Sequence, residues 1–317
     1  MPLSRLLPLA LVLVAVLAPS PARALEDFTP TLPLGMGGAS RAWALGDAGP
    51  LMNPSGMSLE KAYTLGATYG YASRLSDQFL HASIVDSTSS YGLAGGVYYT
   101  YSGSSPSGAP GGHGHEGGLA LSMPVGQYAS VGGTLKYLWL AGDETFNGNG
   151  GGLTFDIGVT VRPIQMISIG VVGANLRTLN NSQAPQSIGY GVAWLPISHL
   201  VVALDGVTYL TADNYTGRKG TSIMGGGTYT LLEKLGLRAG GGYDASTGNG
   251  YVTGGVSGNF PGGAVDASLR QDLTQGQLGP GVLSPRDTVV GVSLRLFIPA
   301  AQTQDPSQVS GPDFSAP

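Results

Sequence analysis

The sequence predicts an all-β protein, an antiparallel transmembrane β-barrel of about fourteen strands with a short N-terminal hatch segment inside its lumen. Three observations support this fold class. Stretches of about ten residues that alternate between apolar and small or polar side chains recur along the chain and end in turns. Only 11% of the 317 residues are charged, and 53 are Gly. The chain also begins with a pattern typical of secreted proteins.

The alternation shows which face of each strand is apolar. Leu153, Phe155 and Ile157 share one face, while Thr154 and Asp156 share the other. A soluble β-sandwich would alternate as well, with its apolar face on a core. Its polar face would be rich in Lys and Glu, whereas here that face is small and sparsely charged. We therefore expect the apolar faces to contact lipid and the small faces to line a lumen.

The same pattern gives the strand boundaries. Short and long connections alternate, which predicts short turns at one end of the barrel and long loops at the other. The last strand, which ends near Phe297, must pair with the first so that no edge remains. The predicted strands span residues 62–73, 77–86, 90–102, 115–125, 127–141, 151–162, 165–175, 186–196, 198–209, 220–231, 232–244, 249–259, 263–272 and 286–298.

The chain divides into four predicted parts. Residues 1–24 form a signal peptide, with an apolar run from Leu6 to Leu17 and the cleavage sequence Ala22-Arg23-Ala24. The alternative, a membrane anchor, is disfavoured because this run is short for a spanning helix. Residues 25–61 form the N-terminal hatch and residues 62–298 the barrel. Residues 299–317 are rich in Pro, Gln, Ser and Asp, and we expect a disordered periplasmic tail.

The hatch is predicted from glycine and turn signals before the first strand. A helix-like stretch from Ala39 to Leu45 follows a flexible glycine cluster. Asn53-Pro54-Ser55-Gly56 is a turn sequence, in which the residue before Pro avoids the helical region and Gly56 permits a positive φ. The glycine cluster consists of Gly35, Gly37 and Gly38.

These hatch residues carry a family resemblance. Gly-Met-Gly-Gly-Ala at 35–39, a helix-like stretch with Ala42 and Asn-Pro-Ser-Gly-Met at 53–57 resemble the hatch of FadL-type outer-membrane barrels. That family includes long-chain fatty-acid transporters, hydrocarbon-uptake channels and the smaller PorV-like barrels. The resemblance implies a plugged barrel that takes up hydrophobic molecules passively. It also implies that the gate consists of Gly35, Gly37, Gly38, Asn53, Pro54 and Gly56.

A set of apolar hatch residues is the predicted ligand pocket. Met side chains adapt to varied apolar ligands, and an apolar pocket beside a movable plug suits a lipid-like substrate. The alternative is that the same side chains only pack the hatch against the barrel wall. The set consists of Met36, Trp43, Leu45, Leu51, Met52 and Met57.

Charged residues on the small strand faces are predicted to line the lumen. Both signs occur, which indicates pairing across a narrow lumen, because unpaired buried charge is costly. The functional alternative is a polar lining or a latch for the hatch. The residues are Lys136, Asp156, Arg162, Asp205, Lys234, Arg238, Asp266, Arg270 and Arg295.

Composition and motifs disfavour several other functions. The chain has no Cys, which excludes disulfides, thiolate metal sites and cysteine catalysis. His113-Gly114-His115-Glu116 has metal-ligand residue types, but it lies in a predicted flexible Gly-rich loop without supporting groups, so we expect no metal. Motifs for phosphate binding or a catalytic nucleophile are missing. Net charge is −4, with no basic surface for nucleic acid. We expect neither an enzyme nor a cofactor.

The predicted function is a channel in a Gram-negative outer membrane for passive uptake of hydrophobic, fatty-acid-like molecules, gated by the hatch. The alternative is a PorV-like scaffold barrel that binds a secreted protein or surface complex without transport, which the modest length and short loops also fit. The expected partners are outer-membrane lipid and either a hydrophobic ligand or a secreted protein.

Overall fold

The computed structural model describes residues 28–74, 76–89, 92–104, 112–141, 150–179, 184–210, 220–245, 247–279, 282–284 and 286–298. The predicted signal peptide and C-terminal tail lie outside the described residues, as do the first three residues of the predicted hatch. Within the described part, no helix is long and apolar enough to cross a membrane.

The described residues form sixteen strands. They are β1 Tyr63–Ala72, β2 Asp77–Asp86, β3 Ala94–Ser104, β4 Gly112–Val125, β5 Ala129–Ala141, β6 Gly150–Ile164, β7 Ile167–Ala174, β8 Ser187–Ile197, β9 Leu200–Tyr209, β10 Thr221–Leu231, β11 Leu235–Asp244, β12 Asn249–Phe260, β13 Gly263–Asp272, β14 Gly276–Gly279, β15 Val282–Ser284 and β16 Thr288–Ile298. Fourteen of them agree with the predicted spans to within a few residues, whereas β14 and β15 lie in a connection that was predicted to be a loop.

Strands β1 to β13 and β16 form a closed antiparallel barrel of 14 strands. β1 pairs with β2 on one side and with β16 on the other, from Tyr63 opposite Ile298 to Ala72 opposite Val289. The barrel therefore has no open edge, and the predicted closure is confirmed. β14 and β15 form a separate 2-stranded sheet within the connection between β13 and β16.

The two faces of the wall differ as the alternation predicts. On β6, Leu153, Phe155 and Ile157 are exposed on the outside, at 42%, 38% and 51% of their full areas, while Thr154 and Asp156 are buried inside. An exposed apolar band around a closed barrel is the arrangement solvated by a lipid bilayer rather than by water. The protein is therefore a membrane β-barrel.

The two ends of the barrel also differ. The turn end carries both barrel termini and the short connections at 126–128, 165–166, 198–199, 232–234 and 261–262. The loop end carries the connections at 105–111, 142–149, 175–186, 210–220 and 273–287. Three connections depart from the alternation: 73–76 and 245–248 are short although they lie at the loop end, and 87–93 at the turn end is longer.

The N-terminal segment, residues 28–62, contains only short helical turns. These are α1 Thr31–Gly35, α2 Gly49–Met52 and 3-10 turns at Gly46–Ala48 and Pro54–Leu59. The predicted helix-like stretch at 39–45 is wrong: the stretch contains a turn at Arg41 and Ala42 and a bend at Trp43, but no helix. α1 ends before Gly37 and Gly38, which have positive φ, and the backbone N–H groups of Ser40 and Arg41 donate to Asp205 of the barrel wall instead of to a helical turn.

The backbone conformation of Gly56 also differs from the prediction. The residue does not take a positive φ but lies within the 3-10 turn that Asn53 caps. A Cβ at Gly56 would lie 2.2 Å from the carbonyl oxygen of Ala44. Glycine is thus required here for close approach of two backbone stretches rather than for its conformational freedom.

Candidate functional site

Hydroxyl groups of the barrel wall hold the backbone of the N-terminal segment. The segment has little regular secondary structure, so its peptide groups need partners from outside it. Several wall hydroxyls donate to its carbonyl oxygens, and four of these pairs, on different sides of the closed barrel, show that the segment lies inside the lumen. The pairs are Thr134 to Pro50 at 3.0 Å, Ser168 to Ala42 at 2.6 Å, Thr253 to Gly35 at 3.1 Å and Ser268 to Thr31 at 2.7 Å.

Glycines on the inner face let the segment approach the wall backbone directly. A Cβ at Gly170 would lie 2.3 Å from the carbonyl oxygen of Arg41, and one at Gly240 would lie 2.5 Å from the carbonyl carbon of Met36. A Cβ at Gly132 would lie 2.6 Å from the peptide between Pro54 and Ser55. The Gly-rich inner faces therefore make room for the segment.

Asn53 links two parts of the segment to β6. Its side-chain Nδ2 donates to the carbonyl oxygen of Arg41 at 2.7 Å and to Thr160 Oγ1 at 3.3 Å. Its Oδ1 accepts from the backbone N–H of Ser55 at 3.2 Å and from the Ser55 hydroxyl at 2.7 Å. Asn53 is fully buried. The 3-10 turn is therefore capped and fixed to the wall by one side chain.

The six apolar residues of the predicted pocket do not line one cavity. Met36 and Trp43 pack in a cluster with wall residues of β8, β9 and β10. Met52 packs against segment alanines, and Met57 packs against β2, β3 and β4. Leu51 and Met52 border a cavity at the loop-end side of the segment. Leu45 is half-buried and belongs to none of these clusters of described residues.

That cavity has a volume of about 240 Å³ and a largely polar lining. Its charged members come from the segment and from four strands: Arg41, Glu116, Lys136, Asp244 and Arg270. Apolar side chains from the segment and from several strands complete it, among them Leu51, Met52, Leu138, Val207 and Met224. An amphipathic molecule would find both kinds of surface in this space.

The predicted lumen charges form separate pairs and groups. Lys136 Nζ lies 2.8 Å from Asp156 Oδ2. Arg270 lies 3.2 Å from Asp272 and 3.6 Å from Asp244, and its guanidinium carbon lies 3.9 Å above the ring centre of Tyr251. Each of these charges is thus compensated within the wall.

Asp266 is the centre of the largest charged group. Arg295 donates to both of its carboxylate oxygens, at 2.8 and 2.9 Å, and Arg238 donates to it at 3.1 Å. The hydroxyls of Ser257 and Ser293 complete its partners. This group joins β11, β12, β13 and β16 from within the barrel.

Arg162 and Lys234 were also predicted to line the lumen, and they differ in the structure. The guanidinium carbon of Arg162 lies 4.6 Å from the ring centre of Trp43, so this wall residue stacks on the N-terminal segment. Lys234 does not face the lumen: it is exposed in the turn between β10 and β11, because β11 begins only at Leu235.

Solved structures show which barrels share this architecture. No protein-family model matches the sequence, and a search of curated proteins finds no match. CymD, a monoaromatic hydrocarbon channel, superposes with a TM-score of 0.67 at 15% identity over 87% of this chain and 99% of its own. A FadL homologue of Pseudomonas aeruginosa superposes with a TM-score of 0.60 at 13% identity over 87% and 99%.

The chain has the FadL-type barrel fold. The toluene transporter TodX of Pseudomonas putida supports this assignment, with a TM-score of 0.63 at 13% identity over 88% of this chain and 99% of its own. The similar structures that are named for their cargo are channels or transporters, not enzymes.

In this FadL-type barrel the histidine motif is part of a strand, not of the predicted flexible loop. His113, His115 and Glu116 lie on β4, where Glu116 faces inward and accepts a hydrogen bond from Tyr98. His115 packs on the other side against Tyr99 and Trp139. Alternation thus separates the carboxylate from the imidazoles, and no group of three metal-ligating side chains occurs among the described residues.

Two carboxyl groups of the N-terminal segment lie near Arg295. Burial raises the pKa of Asp47; nearby Arg295 opposes this effect and Asp266 adds to it. Burial also raises the pKa of Glu60, again against the attraction of Arg295 and with a contribution from Asp47. The segment therefore carries two acids that favour their protonated forms more than free carboxyl groups do.

Sequence reasoning missed Arg41, Asp47 and Tyr251 as site residues, and it considered Glu116 only as a metal ligand and not as a lumen residue. Arg41 and Asp47 had a usable signal, because they are charged residues in a segment predicted to be enclosed. Tyr251, whose hydroxyl donates to the carbonyl oxygen of Gly37 at 2.7 Å, had none, since alternation places tyrosines on either face.

Proposed function

We propose that this protein is an outer-membrane channel for the passive uptake of hydrophobic, fatty-acid-like small molecules, and that its N-terminal segment is the gate. The observation that supports this most is the placement of the segment. It fills the lumen toward the turn end, while a cavity with both polar and apolar walls remains on its loop-end side.

The proposal agrees with the cargo of proteins that share the fold, since CymD is a monoaromatic hydrocarbon channel and TodX a toluene transporter. In it, a molecule enters at the loop end, occupies the cavity and passes when the segment shifts near Asn53. The gate comprises the turn at 53–56 and the glycines at 35, 37 and 38. The membrane is that of a Gram-negative bacterium, with the loop end outside.

A reversible cross-link tests whether the segment is the gate. The hydroxyl oxygens of Ser58 on the segment and Ser122 on β4 lie 2.9 Å apart, and the chain has no Cys of its own. In the Ser58→Cys/Ser122→Cys variant, oxidation would fix the segment to the wall. We expect uptake of labelled fatty acid by cells that depend on this channel to fall to background on oxidation and to recover on reduction.

A cross-link within the wall is the matched control. Thr208 on β9 and Thr221 on β10 also have their hydroxyl oxygens 2.9 Å apart, and neither belongs to the segment. Oxidised Thr208→Cys/Thr221→Cys should transport normally. Undiminished uptake through the oxidised Ser58→Cys/Ser122→Cys variant would refute gating, and no channel-dependent uptake at all would favour the scaffold alternative.

A further inference from the structure

The cavity contains an arginine whose donors are only partly used. Arg41 belongs to the N-terminal segment, lines the cavity and has a side chain that is 16% exposed. Its Nη1 contacts the carbonyl oxygen of Gly38 at 3.4 Å, Asp205 Oδ2 at 3.3 Å and the sulfur of Met224 at 3.6 Å. The two contacts to oxygen are long for hydrogen bonds of a guanidinium, and a thioether sulfur is only a weak acceptor. Among the described residues, none hydrogen-bonds its Nε or Nη2.

Asp205 pairs with this guanidinium, but backbone groups of the segment share the same carboxylate oxygen. Its Oδ2 accepts the backbone N–H groups of Ser40 and Arg41, each at 2.8 Å, and these short contacts take up the oxygen that Nη1 approaches at 3.3 Å. The carboxylate therefore fixes the backbone of the segment, whereas the Arg41 side chain remains able to serve another acceptor.

The other charges of the cavity are more fully engaged. Lys136 has Asp156 at 2.8 Å, and Arg270 has Asp272 and Asp244. Of the acids, Glu116 accepts from Tyr98, and Asp244 accepts from Ser222 at 3.4 Å as well as pairing with Arg270. The cavity thus offers a cationic donor more readily than an anionic acceptor.

Apolar surface lies directly beside this donor. Met224 contacts the guanidinium, and Val207 lines the same cavity. We propose that the cavity binds an amphipathic organic anion, whose carboxylate is held by Arg41 and whose apolar body lies along these side chains. This inference rests on the proposed channel function and names the residue that selects the head group.

Three probes with the same eight-carbon body and different head groups test the inference: octanoate, 1-octanol and octylammonium. Equilibrium binding is measured on the full barrel in nanodiscs, with empty nanodiscs subtracted. We expect octanoate to bind at least about tenfold more tightly than the other two, because a charge-assisted contact is worth on the order of one to two powers of ten in affinity. The Arg41→Gln variant should lose this preference and bind all three alike.

Two further variants separate recognition from folding. Arg41→Lys keeps the charge and should recover part of the octanoate preference. Arg162→Gln removes an arginine that also contacts the segment but is not among the residues that line the cavity, and it should leave octanoate binding unchanged. The thermal unfolding midpoint of each variant shows whether the barrel remains intact.

The inference is overturned if wild-type protein binds octylammonium or octanol as tightly as octanoate, if none of the probes binds, or if Arg41→Gln binds octanoate normally. These outcomes are distinct from failure of the proposed function. Unchanged octanoate binding by Arg41→Gln, together with cross-link-sensitive fatty-acid uptake, would reject the role of Arg41 and leave the channel standing. If oxidation of the Ser58→Cys/Ser122→Cys variant leaves uptake unchanged, the gate is rejected, independently of the binding result for Arg41→Gln.

Discussion

At the level of single residues, the glycines of the inner wall matter as much as the residues that have side chains. Gly170 on β7 faces the backbone of Arg41 at a distance that leaves no room for a methyl group. The same holds for Gly132 opposite the Pro54–Ser55 peptide. These wall glycines determine how deeply the N-terminal segment fits into the barrel.

Substitution of Gly170 by Ala should therefore displace the segment while the barrel still closes. The added Cβ would lie 2.3 Å from the carbonyl oxygen of Arg41, and overpacking of this kind costs about 1–3 kcal/mol. We expect residues 28–62 to exchange their amide hydrogens faster, measured by mass spectrometry on protein in detergent. Gly258→Ala is the control, because a Cβ there meets no atom within 4 Å. Equal exchange in both variants would contradict the prediction.

The inner charges show what alternation can and cannot predict for residues. It places Lys136, Asp156, Asp266 and Arg295 on inner faces, as the structure has them. It cannot predict that Arg238 and Arg295 meet at Asp266, because this depends on how neighbouring strands are staggered. The pairing register depends on the tilt of the strands in the closed barrel. The sequence of one strand does not determine that tilt.

At the level of elements, the N-terminal segment departs most from its predicted form. Local sequence favours a helix at 39–45, yet Asp205 takes the backbone N–H groups of Ser40 and Arg41. Wall groups thus replace the hydrogen bonds that a helix would have made. Helix signals were a poor guide for a segment whose backbone partners lie far away in the sequence.

The acids of this segment make its enclosure pH-dependent. The pKa of Asp47 is raised inside the barrel, so the protonated carboxyl favours enclosure. This contribution is complete below the ordinary pKa of 3.8 and is lost as pH rises through the raised value. The segment should therefore be held more tightly in acid than at neutral pH.

Asp47→Asn tests this dependence. The amide cannot ionise, so we expect protection of residues 28–62 from hydrogen exchange to increase at neutral pH and to vary less with pH once intrinsic exchange rates are corrected. Glu60→Gln should act in the same direction, because burial also raises the pKa of Glu60. Glu233→Gln, in an exposed turn, should resemble wild type. A wild-type segment that is better protected at neutral pH than in acid would refute the prediction.

At the level of the whole molecule, closure was the most predictable property. Fourteen alternating strands with apolar outer faces have only one arrangement in lipid that satisfies every backbone group, a closed barrel. The path of the segment inside was less predictable, since it depends on contacts between residues separated by up to 237 positions, as between Thr31 and Ser268.

The lipid-facing wall can be tested by its tolerance of charge. Leu204 is 61% exposed at the middle of β9, and Leu232 is 82% exposed in the turn between β10 and β11. Leu204→Arg should reduce the free energy of folding into bilayers by about 2–4 kcal/mol, whereas Leu232→Arg should cost at most about 1 kcal/mol. Reversible urea titration in phospholipid vesicles measures both. Equal costs would show that Leu204 does not face the hydrocarbon core.

The hydroxyls of Thr134, Ser168, Thr253 and Ser268, which hold the segment in place, are equally good partners for water. An emptied barrel would hydrate at once and would conduct ions along its whole length. Complete ejection of the segment during each passage would thus open a water-filled pore through the barrel. A small local displacement, wide enough for one slender molecule, would instead keep the lumen closed to water-soluble molecules.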